Sequence, residues 1–261
     1  HYGRNSIKVM SQNLDDKINI TSKSFFIYPK EKPQTLNYEL IRIMAHDKNS
    51  YTQGLLIKNG KFYESSGQYG KSFLRETDFE NGKIIREKKI GDSFFAEGIT
   101  IYENKLFMLT WKSKVCFVYD MNSFNIIQEF KYKTEGWGLS TFNDQIVMSD
   151  GSEKIYFRNP GSFDIEKIIE VYDNNGKVNN INELEVINDE IYCNIYGEDI
   201  ILKINPETGI VEGKLDLQNI FNRKNYSDKI DVMNGIAYND ETQTIFITGK
   251  WWPSMYEIKL N

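Results

Sequence analysis

A short pattern recurs five times along this chain: a polar or aromatic residue, usually a glycine, then Leu or Ile. It reads QGL at 53–55, EGI at 97–99, WGL at 137–139, NEL at 182–184 and NGI at 234–236, at intervals of 44, 40, 45 and 52 residues. Each start is followed by a turn (KNGK, YENK, FNDQ, INDE, YNDETQ) and a second run (FYESSG, LFMLTW, IVMSDG, IYCNIYG, IFITGKWW). A third run comes next (SFLRETD, KVCFVYD, KIYFRNP, DIILKIN, SMYEIKL), then turns such as FENGK, MNSFN and PETGI, and a fourth run (IIREKKI, IIQEFKY, VEGKLDL). Runs rich in Val, Ile, Tyr and Phe, cut by Asn-Gly-type turns, read as strands, and helical periodicity is nearly absent. Four strands in roughly 40–50 residues make one β-propeller blade, so the pattern predicts an all-β, five-bladed propeller of four-stranded blades. The last repeat stops after its third strand. The segment YELIRIMAH at 38–46 is expected to supply the missing one and so close the ring. Residues 1–36 are then an N-terminal arm and 37–261 the propeller domain.

Composition narrows what such a propeller does. The chain has 261 residues, 40 % hydrophobic and 26 % charged, which suits a soluble globular fold with a sizeable core. A net charge of −5 gives no basic footprint, so nucleic acid is not an expected partner. No run approaches the roughly 18–20 apolar residues of a membrane-spanning helix. The chain starts at His1, and its polar beginning lacks the apolar stretch of a signal peptide. We therefore expect a processed form, its targeting segment lying outside this sequence and its compartment secretory or extracytoplasmic. Asn19 (NIT) and Asn225 (NYS) fit the glycosylation triplet. Cys116 and Cys193 stand in apolar runs and are expected to be buried free thiols. With only His1 and His46, no zinc-type His/Cys spacing can be assembled and no metal ligand set is assigned. Neither histidine falls on a repeat position, so a Ser–His acyl-enzyme route is not expected.

In a propeller the first strand of each blade lies innermost, and equivalent residues of the blades surround the axis. The residue that opens each repeat is therefore a ring member: Gln53, Glu97, Trp137, Asn182 and Asn234. The second strand runs back to the same face and yields a second ring: Ser66, Trp111, Asp150, Tyr196 and Lys250. Polar groups breaking strand patterns at equivalent positions mark a functional mouth. Glu97, flanked by Phe94, Phe95 and Trp111, is the candidate for taking and giving a proton near neutrality, because burial raises a carboxyl pKa. A plain salt bridge to Lys250 is its bland alternative.

The strings YTQGL, YESSGQYGKSFLRETDFENGK, FFAEGIT, LTW, EGWGLS, SDGS, NINELE, DVMNGIA and TGKWWP resemble, in order and spacing from about residue 38 to the end, the plant and bacterial type of glutaminyl cyclase. That family has a five-bladed propeller and cyclises an N-terminal glutamine to pyroglutamate with loss of ammonia, without the zinc of the unrelated animal enzymes. The resemblance implies peptides or proteins with N-terminal glutamine as partners. It implies Glu97, Asn182, Lys250 and Gln53 as catalytic residues, with Tyr51, Phe95, Trp111, Trp137 and Tyr196 binding the substrate. Tyr51 stands where the family usually has Phe, and Tyr196 where it usually has Trp. On this reading the aromatic rings wrap the glutaminyl side chain, Glu97 shuttles a proton from the attacking amine to the leaving ammonia, and Gln53, Asn182 and Lys250 hold the amide and its oxyanion.

Two other classes stay open on the residues alone. A non-catalytic propeller that docks peptides on the same face would retain a peptide and release no ammonia. A metal-dependent hydrolase of the lactonase kind needs several converging carboxylates, whereas the first ring offers Glu97 alone, with Asp150 in the second and Glu183 and Glu185 flanking Asn182. No cofactor is expected to be required; a purely structural divalent cation, calcium by chemistry, stays open on the axis. The chain is expected to act as a monomer.

Overall fold

In the computed structural model, which describes residues 2–226 and 229–261, five antiparallel sheets stand around an axis as the repeat predicts. Their innermost strands are Thr52–Lys58, Ala96–Tyr102, Leu139–Phe142, Ile181–Ile187 and Met233–Asn239, which number blades 1 to 5. Blades 1 to 3 each run outward through three further strands in sequence order. Blade 5 is completed by Tyr38–Ala45, paired antiparallel with Ser254–Leu260, so the propeller's first and last strands lock the ring. His1, and Ser227 of the NYS triplet at 225–227, lie outside the described residues.

The arm before the propeller has its own structure, which the repeat does not encode. Gly3–Gln12 and Ile18–Ile27 form a ten-pair hairpin that is exposed along most of its length. Its base rests on blade 3's exit, where Tyr28 packs against Tyr172 with ring centroids 5.8 Å apart. Gln34–Leu36 then adds a fifth, parallel strand to the outer edge of blade 4. The segment therefore straps the rim of blade 4 before closing blade 5.

The core is divided into wedges between blades rather than gathered at one centre. Successive strand residues face opposite sides, and both sides of a blade's inner strands are covered, so those strands read as unbroken apolar runs. In LFMLT of blade 2, Leu106 and Met108 pack toward blade 1 with Leu56, Tyr63 and Leu74. Phe107 and Leu109 pack the other way, toward Leu139, Ile146 and Met148 of blade 3. Cys116 and Cys193 are both free and buried in such wedges.

The glycine of the repeat has a physical cause. A Cβ placed on Gly98 would lie 2.6 Å from the Leu139 nitrogen, and one on Gly138 would lie 2.1 Å from the Asn182 carbonyl oxygen. Neighbouring inner strands come that close to one another. Blade 4 alone carries Glu183 at this step, and its side chain reaches across the ring. One oxygen accepts from the Leu55 N–H of blade 1 at 3.3 Å and the other from the Ile236 N–H of blade 5 at 2.9 Å. Burial pushes its carboxyl well above the usual range, and nearby Glu185 adds to that, while the two N–H donors oppose it.

Ring closure has a second electrostatic clasp. His46, just past the closing strand, places Nδ1 2.7 Å from the Trp252 carbonyl and Nε2 3.1 Å from Glu64 Oε1. The carbonyl can only accept, and an ionised Glu64 also accepts, so the geometry favours a ring that donates from both nitrogens, the imidazolium. Burial alone would lower its pKa; the Glu64 carboxylate and the two hydrogen bonds outweigh that, with Asp47 adding to them, and the net shift is upward from 6.5. Glu64, which also accepts from Thr52 and Ser50 and faces Arg75, shifts the other way, below 4.5, because these partners outweigh its burial. A raised histidine stabilises the fold fully below its unfolded pKa and loses that contribution as pH rises through the folded value. Thermal stability should therefore decline as pH rises above 6.5, and His46→Gln should flatten that decline. Parallel stability–pH curves for the two proteins would refute the imidazolium.

Candidate active site

At the face where the inner strands begin, the blades leave a cavity of about 260 Å³ lined by Tyr51, Gln53, Gln68, Phe95, Glu97, Trp111, Trp137, Asn182, Tyr196 and Lys250. The nine residues that the resemblance implies as catalytic or substrate-binding are in this lining, together with Gln68. The volume falls just under the roughly 300–1,000 Å³ of sites for drug-sized ligands, which suits one amino-acid side chain and its backbone.

Two local devices bring these residues together. In each of four blades the end of the second strand donates its N–H to the chain just before the first strand: Gly67 to Tyr51, Trp111 to Phe95, Tyr196 to Asn180 and Lys250 to Val232, all at 2.8–3.0 Å. In blade 3 Trp137 donates instead to the Ser149 carbonyl at 3.1 Å. The ladders of blades 1, 2, 4 and 5 also slip by a residue near the mouth, across 52–54, 108–110, 181–184 and 233–236. Such bulges re-aim side chains that a regular pleat would turn into the neighbouring sheet. Gln53 and Asn182 sit within these slips, and Glu97 lies opposite one.

Three ring members do not reach the cavity. Asn234 is buried and donates from Nδ2 to the Thr52 carbonyl at 3.0 Å. The Ser66 hydroxyl accepts from the Tyr51 N–H at 2.9 Å. Asp150 turns into its own loop, accepting from the Ser152 N–H and from the Tyr156 hydroxyl at 2.9 Å. These three hold backbone in place, so the ring of ten expected from the repeat is reduced to seven at the mouth.

Glu97 is 5 % exposed, and its single side-chain hydrogen-bond partner among the described residues is Gln53, whose Nε2 donates to Oε1 at 3.4 Å. It makes no ion pair with Lys250, contrary to the bland alternative. Its backbone is held on both sides: the Ser65 hydroxyl donates to its carbonyl at 2.6 Å, and the next residue's N–H donates to the Trp137 carbonyl at 2.7 Å. Burial pushes its carboxyl well above 4.5; Lys250 pulls it down and Glu135 pushes it up. Lys250 is held below 10.5 by burial, with Glu97 and Asp231 opposing. Its ammonium stands 4.8 Å from the centre of the Tyr51 ring and 5.3 Å from that of Tyr196, a cation held by aromatic faces. The Asn182 amide oxygen is buried without a hydrogen-bond partner among the described residues, and Asn182 is part of the cavity lining.

Several residues that shape the site were not weighed from sequence. Glu135 accepts through one oxygen, Oε2, from both indoles, Trp111 Nε1 at 2.7 Å and Trp137 Nε1 at 3.0 Å. Asp231 accepts from the Tyr51 hydroxyl at 2.9 Å. Trp251 packs on Tyr51 with centroids 4.6 Å apart, and its φ of 61° is unusual for a bulky residue. Glu135 and Asp231 lie inside the quoted motifs EGWGLS and DVMNGIA, which was the one signal available.

Among the described residues no three His, Cys, Asp or Glu side chains come together as a metal-binding group. Comparison with known proteins fits the geometry. A family model described as glutamine cyclotransferase matches residues 13–260. The chain is 35 % identical over 226 residues to the glutaminyl-peptide cyclotransferase of Arabidopsis thaliana, covering 85 % of this chain and 71 % of that protein. The crystal structure of Myxococcus xanthus glutaminyl cyclase superposes with a TM-score of 0.81 at 33 % identity, covering 88 % of this chain and 99 % of that one.

Proposed function

The chain belongs to the glutamine cyclotransferase family, and from that premise we propose that it converts the N-terminal glutamine of peptides and proteins to pyroglutamate with release of ammonia, Glu97 carrying the proton. The observation that carries this reading is a buried carboxyl without an ion pair, set beside an amide in an aromatic cavity sized for one residue.

The α-amine attacks the side-chain carboxamide carbon; a carbon–nitrogen bond forms and the carbonyl becomes a tetrahedral oxyanion. Glu97 takes the proton that the ring nitrogen sheds. It returns that proton to the amide nitrogen, whose bond to carbon then breaks to release ammonia. A carboxyl shifted upward by burial is suited to both halves of this transfer. The attack is intramolecular, so holding the side chain folded between Phe95, Trp111, Trp137 and Tyr196 supplies much of the remaining acceleration. Lys250 and the Gln53 amide supply donors for the oxyanion, while the Asn182 oxygen is an acceptor for the substrate's N–H groups. The donors at this mouth are amides, an ammonium and one carboxyl, a poor set for zinc, and Glu183 has both oxygens on backbone N–H groups. These features support a zinc-independent reaction.

The test is ammonia release from a short glutamine-initiated peptide with excess chelator present. Release that survives chelation is expected. Retention of the peptide without ammonia would return the mouth to a docking role, and loss on chelation would point to a metal. In the same assay Lys250→Ala should lower kcat by about 10²–10³, the usual effect of removing one oxyanion donor; an unchanged kcat would remove Lys250 from the step.

A further inference from the structure

Behind the aromatic walls lies a carboxylate, Glu135, that is not part of the cavity lining and pairs with no basic side chain among the described residues. Glu135 is drawn up against Trp111 and Trp137 by their indole N–H groups, both donating to the same oxygen. The two tryptophans come from different blades, so this one oxygen spans the junction of blades 2 and 3 at the mouth. Both rings line the cavity. Part of each ring is already covered: the Lys112 ammonium lies 4.0 Å from the Trp111 ring centre, and the Gly151 backbone packs so closely on Trp137 that a Cβ there would stand 2.6 Å from the ring. Lys112 is exposed and does not line the cavity.

An indole that donates its N–H to an anion carries more negative charge on its face, and such faces attract cations. The cavity's own cation, Lys250, lies elsewhere in the lining, against Tyr51 and Tyr196. Asp231 stands behind Tyr51 in the same way, but the Lys250 ammonium already occupies that face, whereas the tryptophan wall has an anion behind it and no lining cation against it. A peptide's N-terminal amine, with an ordinary pKa of about 7.7–8.0, is mostly ammonium at neutral pH. The carboxamide carbonyl it must react with is the opposite pole.

We propose that Glu135 is a positioning residue that, through Trp111 and Trp137, makes this wall the receptor for the substrate's α-ammonium and so fixes which way the glutaminyl residue enters. The assignment rests on the cyclase reading of the cavity. It also places the ammonium on the same side as Glu97, whose next residue, Gly98, donates its N–H to the Trp137 carbonyl at 2.7 Å.

Two non-cyclising peptides test it as competitive inhibitors: one beginning with norvaline, which keeps the amine but lacks the carboxamide, and its pentanoyl counterpart, which lacks both. The wild type should bind the amine-bearing peptide roughly tenfold more tightly, the scale of a cation held at an aromatic wall. Glu135→Gln keeps the acceptor oxygen and the shape but removes the charge. It should erase most of that preference while binding the pentanoyl peptide as the wild type does. Equal affinity of the wild type for both peptides would overturn the proposal even if the variant does not fold. So would an equal loss for both peptides in Glu135→Gln, which would mean that Glu135 only braces the rings. Absence of ammonia release by the wild type from a glutamine peptide would instead count against the cyclase reading itself.

Discussion

Glu97→Gln is expected to lower kcat by about 10²–10⁴, the range that a positioned general acid–base contributes, with the fold intact. Glutamine keeps the size of the side chain and can keep a hydrogen bond to Gln53, so packing is undisturbed. What it loses is the proton site. The pH dependence gives an independent check. The reaction needs the Glu97 carboxylate to accept a proton, so the rate should fall as pH drops through a pKa well above 4.5, because burial shifts it up. It should fall again as pH rises through the pKa of Lys250, which burial places below 10.5. An acid limb at the ordinary carboxyl value, or near-normal turnover by the variant, would remove Glu97 from the step.

The same substitution also predicts a stability effect of definite sign. A carboxyl whose folded pKa is raised binds its proton more tightly in the folded state. Between the unfolded and folded values the folded protein therefore loses stability as pH rises. Glu97→Gln should be spared that part of the decline, so its melting temperature should gain on the wild type as pH is raised from 4.5. Melting curves at several pH values would show it.

Gly138→Ala is expected to cost about 3 kcal/mol or more, at the upper end of what overpacking does in a well-packed core. The added Cβ would meet the Asn182 carbonyl oxygen at 2.1 Å and the Glu183 Cα at 2.8 Å. Both are backbone atoms, so no side chain can swing aside, and blades 3 and 4 must part at the mouth. Trp137 and Asn182 flank that contact, so activity should fall with stability. Gly91→Ala is the control: its Cβ would make only ordinary contact with Phe94, at 3.4 Å, and the change should stay within about 0.5 kcal/mol. Equal denaturation midpoints for the two variants would mean that the blades do not approach as closely as described.

Much of the site was readable because a propeller turns repeat position into spatial position. Gln53, Glu97, Trp137 and Asn182 meet at the mouth because each opens an inner strand, and Trp111, Tyr196 and Lys250 because each ends a second strand. The same logic overreached at Asn234, Ser66 and Asp150. Which way Asn234 and Ser66 point depends on a one-residue slip in the ladder, which exchanges the two faces, whereas Asp150, in blade 3 with its regular inner ladder, is drawn into its own loop by Ser152 and Tyr156. Nothing in a single repeat's letters marks that slip. Glu135 and Asp231 stayed hidden for a related reason. Each acts on aromatic rings, and those rings are brought to it by separate elements of the chain.

The sequence by itself determined the five blades, the closing strand and the face that carries the chemistry, since these follow from strand periodicity, turn residues and repeat spacing, all of which are local. Only the tertiary structure decided that the N-terminal residues form a hairpin and strap blade 4, that Glu183 bridges the ring where other blades carry glycine, and that one carboxylate oxygen holds two indoles. Apart from the hairpin's own turn and the Glu135–Trp137 contact, these join segments from 24 to more than a hundred residues apart. Their geometry follows from how closely whole sheets pack around the axis, which no stretch of sequence records.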